Sequence, residues 1–308
     1  MPKCKLCSAQ SVIWLRDQNR GLCQKHFEEY FLSRVKRAIS KYKMLKKSEK
    51  VVVGLSGGKD SLVTAWSLKK LGYNVEGVFI DLGFKHYSEA SFKAVENFCK
   101  RFNIPFERVD MKNKFGVTVP ELLSANRRKS CSLCGSVKRY VLNKIALEKN
   151  AILATGHHLS DEISQLIGNF LNLQHEYLWR QSPILPEEEG MARKIKPLCL
   201  LREEEIEKIA EILQIQPVRE KCPFSKGATT FKNRKLAKEI ENIFPGASYR
   251  LYTQFLEKKE EIFKPHEVEL KRCKICGYKT ILDICNFCRW KMKWEEKSGK
   301  LKVKSHNI

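Results

Sequence analysis

Val51-Val52-Val53-Gly54-Leu55 is an unbroken apolar run that stops at a pair of glycines, the pattern of a buried strand running into a tight turn. Upstream, Phe27, Tyr30, Phe31, Val35, Ala38, Ile39 and Tyr42 recur at helical spacing with Lys and Arg between them. Downstream the period keeps switching. Helix is predicted from about Ser61 to Leu71, strand over Val75–Ile80, helix over Glu89–Phe102, strand over Pro105–Asp110, helix over Ser136–Lys149 and strand over Ala151–Thr155. This alternation predicts an α/β protein with a doubly wound parallel sheet, whose ligands gather at the carboxyl ends of the strands. Beyond Glu162 the pattern turns helical, near 161–179, 202–214, 231–244 and 248–263.

The 308 residues suffice for one sizeable core with satellites. The spacing divides them into an amino-terminal module over 1–30, a linker helix over 31–50, a main domain over 51–265 that is mostly helical from about 200, a second small module over 266–295 and a basic tail over 296–308. No apolar stretch approaches the roughly 20 residues needed to cross a bilayer, and the first residues lack the apolar core of a secretory signal. A cytoplasmic protein is expected, with its twelve cysteines in a reducing compartment that favours metal binding and chemistry over disulfides. The 58 Lys and Arg outnumber the 35 Asp and Glu to leave a net charge of +23. Such a field attracts polyanions, so nucleic acid is the expected partner. A lysine-rich thermophile surface and an acidic membrane are weaker readings of the same excess.

Cysteine spacing is the next signal. Cys4 and Cys7 with Cys23 and His26, and Cys273 and Cys276 with Cys285 and Cys288, have the donor types and intervals of two closed tetrahedral zinc sites. Cys131 and Cys134 form a third pair between the basic Arg127-Arg128-Lys129 and a helix carrying Lys138, surroundings expected to favour thiolate. Cys222 has no near partner in sequence, and Cys99 and Cys199 read as core thiols.

Ser56-Gly57-Gly58-Lys59-Asp60-Ser61 follows the strand end at Leu55 and opens a helix, a placement suited to cradling phosphate on backbone N–H groups. It is not a Walker A loop, since Gly58-Lys59 is followed by Asp60. The motif resembles the PP-loop family of ATP pyrophosphatases, which cleave ATP to AMP and pyrophosphate. That resemblance implies phosphate contacts for Lys59, Ser56 and Ser61, and a magnesium role for Asp60. Gly156-His157-His158-Leu159-Ser160-Asp161-Glu162 is similar to the family's second site stretch, Gly-His-Asn-x-Asp-Asp, with His158 and Ser160 departing from it. Gly156 and Asp161 match. A helix cap by Ser160 or Asp161 is the structural alternative.

Taken together, these motifs and Gly227-Ala228-Thr229-Thr230 resemble the TtuA-type tRNA 2-thiouridine synthetases of the TtcA/TtuA family, relatives of the wobble-uridine thiolases, over nearly the whole chain. The resemblance implies a [4Fe-4S] cluster on Cys131, Cys134 and Cys222 whose free iron carries sulfur, ATP with Mg2+ on the loop, two Zn2+ ions, and tRNA as substrate. It also implies a homodimer and, as sulfur source, a ubiquitin-like thiocarboxylate carrier or sulfide. Lys138 or Asp161 is then the group that moves protons or balances charge. Two other readings stay open: a cluster-free thiolase using a persulfide on Cys131 or Cys134 resolved by Cys222, and a non-catalytic zinc protein that binds RNA by charge. Neither the T-loop nor the wobble uridine is written in these motifs.

Overall fold

The computed structural model describes residues 2–126, 130–218, 220, 222, 230–263 and 270–299. Arg127–Lys129, Gly227–Thr229 and the tail from 300 on fall outside them. A short hairpin, β1 (Ile13–Leu15) and β2 (Arg20–Leu22), leads into α1 (Gln24–Lys41). The main domain follows as β3 (Lys50–Leu55), α2 (Lys59–Lys70), β4 (Asn74–Asp81), α3 (Lys85–Phe102), β5 (Phe106–Asp110), α4 (Met111–Phe115), α5 (Val119–Ala125), α6 (Ser130–Glu148) and β6 (Ile152–Ala154). Then come α7 (Leu159–Leu171), α8 (His175–Arg180), β7 (Ile184–Leu185), β8 (Lys194–Ile195), α9 (Glu203–Ile212), α10 (Thr230–Ile243) and α11 (Ala247–Ile262). A second hairpin, β9 (Lys271–Arg272) and β10 (Lys279–Thr280), precedes α12 (Asn286–Lys297).

The six-stranded sheet has the order β5-β4-β3-β6-β8-β7. All neighbours are parallel except the antiparallel edge pair of β7 and β8. Alternation sorts the strand residues between two cores. Val51, Val53, Leu55 and Phe79 face one side with α1, α2, α9 and α11, while Val52, Val78 and Ile80 face the other with α5, α6 and α12. Each fully buried Val, Leu or Ile contributes about 1.5–3 kcal/mol. The amino-terminal cysteine module joins the first core and the carboxyl-terminal module the second, so each caps one face of the sheet.

The strands expected from sequence are present, and the differences have local causes. The edge pair β7 and β8 is missed because two-residue strands carry no periodicity. The single helix expected over 161–179 is broken where Leu173 adopts φ +47°, giving α7 and α8. Helix α6 begins at Ser130 rather than Ser136, so Cys131 and Cys134 lie inside its first turns. Gly135 suggests a break there, but Leu133 and Val137 are fully buried against the sheet and hold the helix through it.

Candidate active site

The site grows from the β3–α2 turn. Gly57 has φ +77°, and a Cβ there would stand 3.0 Å from the Ser91 carbonyl oxygen, so the turn requires glycine. Ser61 Oγ donates to the Gly58 carbonyl at 2.9 Å and accepts from the Ser56 N–H at 3.1 Å, and the two hydroxyls lie 3.2 Å apart. The loop is thus held by its own serines at the start of α2, where unpaired N–H groups favour an anion. Gly156 lets a second segment in: a Cβ there would come within 2.8 Å of the Asp60 carbonyl carbon. Outside the main loop, the Val218 N–H donates to the Gly57 carbonyl at 2.9 Å, bringing the segment that leads to Cys222 onto the loop.

Helix α7 supplies the facing acid. Asp161 accepts from the His158 N–H at 3.4 Å, pairs with Arg234 and has His158 Nε2 at 3.4 Å, so capping and site roles coincide in one carboxylate. Burial disfavours its charge, but His158 and Arg234 outweigh burial and hold the carboxyl below its ordinary value. His158 is fully buried, with neither ring nitrogen in a hydrogen bond, and its Nε2 stands 4.0 Å from Asp60 Oδ1. Beneath α7, the buried Glu162 carboxylate receives Lys196 at 2.7 Å and the Tyr252 hydroxyl at 3.2 Å, an arrangement that fixes the start of the helix.

These pieces line one cleft of about 1130 Å³ that includes Ser56, Asp60, Ser61, Lys138, Gly156, Asp161 and Arg234. A smaller apolar slot of about 110 Å³ adjoins it at the ends of β3 and β4, lined by Leu55, Phe79, Ile80, Leu82 and Leu142 among others. Apolar and set beside the phosphate cradle, the slot suits an adenine ring, and Asp60 Oδ1, which makes no hydrogen bond and has the Lys59 ammonium 3.3 Å away, offers a magnesium ligand. ATP with magnesium therefore fits the residues present. Gly57, Gly58 and Lys59 do not line the cleft: Lys59 Nζ lies 3.3 Å from both Asp60 Oδ1 and Glu203 Oε1.

Lys138 lines both cavities, and it sits one turn after Cys134 on α6. Burial pushes the Cys134 thiol up, Lys138 pulls it back, and the neighbouring Cys222 and Cys131 push it further up. The expectation of two readily ionised thiols thus fails at Cys134, because burial outweighs the cation. The Cys222 thiol thus contributes to the field felt at Cys134, 88 positions earlier in the chain.

At the termini the donors are packed. Cys4, Cys7, Cys23 and His26, and likewise Cys273, Cys276, Cys285 and Cys288, each have all four donor atoms within 4.8 Å of one another. Cys7 and Cys23 Sγ are 3.6 Å apart, Cys276 and Cys285 Sγ 3.7 Å. Both sets place two ligands at the start of a helix, Cys23 as N-cap of α1 and Cys285 as N-cap of α12. Four soft donors at this spacing fit tetrahedral zinc. The central trio is not such a set among the described residues. Its all-thiol chemistry fits a four-iron cluster held by three protein ligands.

Sequence reasoning missed Arg234, Glu203 and Lys196. Each is an ordinary charged residue in a helical or edge segment, and only folding sets it beside Asp161, Lys59 or Glu162.

The family model described as the tRNA methyl transferase HUP domain matches residues 49–227. A tRNA-5-methyluridine(54) 2-sulfurtransferase of Pyrococcus horikoshii is 41% identical over 95% of this chain and 95% of its own. The protein of that name from Thermus thermophilus is 38% identical over 93% and 90%. Among solved structures, the U34-tRNA thiolase NcsA from Methanococcus maripaludis, with its [4Fe-4S] cluster, superposes with a TM-score of 0.79 at 26% identity, covering 95% of this chain and 96% of that one.

Proposed function

The chain belongs to the family of tRNA 2-thiolation enzymes built on the HUP domain, and from that membership we propose that it thiolates C2 of the uridine at tRNA position 54, with Ser56–Ser61, Gly156, Lys138, Asp161 and the three central cysteines as its working residues. One observation carries this reading: Lys138, on the helix of Cys131 and Cys134, lines the same cleft as the phosphate loop. Position 54 rests on the relatives at 38–41% identity, against 26% for the wobble thiolase.

Adenine enters the apolar slot and the phosphates lie over the Ser56–Ser61 turn, with Asp60 toward the metal ion. The target base leaves its stack at a cost of a few kcal/mol to reach the cleft. Its O2 then attacks the α-phosphorus, and pyrophosphate departs. Lys138 faces the charge that develops between base and nucleotide. Arg234 keeps Asp161 ionised and oriented, which makes that acid a fixed negative charge and a poor proton acceptor. A [4Fe-4S] cluster on Cys131, Cys134 and Cys222 would supply an iron free of protein ligands at which sulfide can be held. The incoming sulfur attacks C2, the C2–O bond breaks, and AMP carries the oxygen away. A proton from the sulfur is lost to solvent.

The sulfur source is read as sulfide or a ubiquitin-like protein with a terminal thiocarboxylate. A homodimer is supported by the exposed apolar group Phe170, Leu171, Leu173 and Tyr177 at the end of α7 and in α8, a surface suited to a second copy. None of the twelve cysteines, all of them among the described residues, is in a disulfide. No described helix is long and apolar enough to cross a membrane.

The test is oxygen-free protein incubated with ATP, sulfide and unmodified tRNA, followed by mass spectrometry of mapped fragments. Sulfur for oxygen at position 54, with pyrophosphate released in step, is expected. Sulfur at position 34, or incorporation without ATP, would refute the assignment.

A further inference from the structure

The cation of the phosphate loop is shared between Asp60 of its own helix, at 3.3 Å, and the acids of another helix. Lys59 Nζ lies 3.3 Å from Glu203 Oε1 and 3.9 Å from Glu207 Oε1, acids one turn apart on α9. The acids do not drift. Arg202, the residue before Glu203, is clamped by Asp17 at 2.9 Å, Glu205 at 3.3 Å and Glu241 at 3.2 Å, and the Glu203 N–H donates to Ser160 Oγ at 3.1 Å. Asp17 belongs to the loop of the amino-terminal cysteine module, Glu241 to α10 and Ser160 to α7, so three elements outside α9 fix the place of Glu203. Lys59, on a flexible four-carbon stem, is the partner able to move.

We propose that Glu203, with Glu207 behind it, competes with the triphosphate of ATP for the Lys59 ammonium and so sets the enzyme's affinity for ATP. The inference rests on the reading of the loop as an ATP site. Two effects act in the same direction: the carboxylates hold the ammonium away from the phosphates, and their own charge repels the incoming anion. Glu203 is a positioning residue here, acting through Lys59. The pairs are partly exposed, so the expected effect is modest, about two- to fivefold in binding.

Calorimetry of Mg-ATP binding to the zinc-loaded full chain tests this, with Glu203→Gln, Glu203→Gln/Glu207→Gln, Lys59→Ala and Lys59→Ala/Glu203→Gln beside the wild type. Glu203→Gln is expected to tighten ATP about two- to fivefold and to lower its KM in the thiolation assay while the KM for tRNA holds. The double Gln variant tightens it further, and the gain shrinks once Lys59 is gone. Equal or weaker ATP binding by Glu203→Gln, in a variant that melts with the wild type, overturns the proposal and makes Glu203 a guide that aims Lys59 at phosphate. Wild-type protein that binds no ATP overturns the loop assignment as well, a result distinct from a normal wild type with an unmoved variant.

Discussion

The two terminal cysteine quartets and the central trio use the same side chain for opposite ends. In each quartet, four donors lie within 4.8 Å of one another, two of them placed by the first turn of a helix, a set that could close on a single ion. In the trio, two thiols sit inside α6 and the third follows a segment hydrogen-bonded to the phosphate loop, and among the described residues the three do not form such a closed set. A closed set stabilises a module that has little core of its own; a set one ligand short keeps a coordination position open for chemistry. The environments differ in kind as well. The carboxyl-terminal quartet is packed under aromatic rings, with Tyr140 stacked on Phe287 at 4.4 Å, whereas Cys134 shares its surroundings with Lys138 at the edge of a wide cleft.

The sharpest way to break that comparison is to delete one thiol of each kind. Cys222→Ala is expected to cut thiolation by on the order of 10³-fold or more while melting within a few degrees of the wild type. Its iron falls and its two zinc ions stay, as elemental analysis would show. Iron retained in Cys222→Ala, or full activity without iron, would end the distinction. Cys285→Ser should do the reverse: one zinc is lost and stability drops by on the order of 5 kcal/mol, about 10 °C in Tm by calorimetry. The surviving folded fraction should still thiolate.

Smaller effects sharpen the loop side. Gly57→Ala forces a side chain onto a φ of +77° and 3.0 Å from the Ser91 carbonyl, at a cost of about 1–2 kcal/mol. A raised KM for ATP with both metals intact is the expected reading. The smallest effect is in pH. The folded carboxyl of Asp161 lies below its ordinary value, so its stabilisation is fully present above the unfolded carboxylate range and is lost as pH falls through the folded value. Asp161→Asn should therefore be less stable than the wild type near neutrality, with the gap closing in acid. A gap that persists there would show that Asp161 is held by packing instead. Comparing two proteins with identical zinc sites removes the acid loss of metal from the difference.

Much of the fold was legible because its signals are local. Val51–Leu55 declares a buried strand, the glycines after it declare a turn, and CxxC pairs near CxxH or CxxC declare zinc. The site was legible where a motif is contiguous, as at Ser56–Ser61. It was illegible where chemistry depends on meeting. Nothing near Glu203 in sequence points to Lys59, and nothing near Arg234 points to Asp161, since a charge on a helix surface looks the same whether it meets water or a partner. The pKa of Cys134 was misread for a related reason: neighbouring cations are visible in the sequence, whereas depth of burial is not.

The amide of Val218 is hydrogen-bonded to Gly57, and four residues later comes Cys222. As the proposed third ligand for iron, Cys222 would thus take its post only once the loop and the strand behind it are in place. A nascent or damaged chain would then present two thiols and no receptacle, and delivery of the inorganic cargo would become a form of inspection. On that proposal, only a molecule already shaped to handle the nucleotide would be armed with the metal.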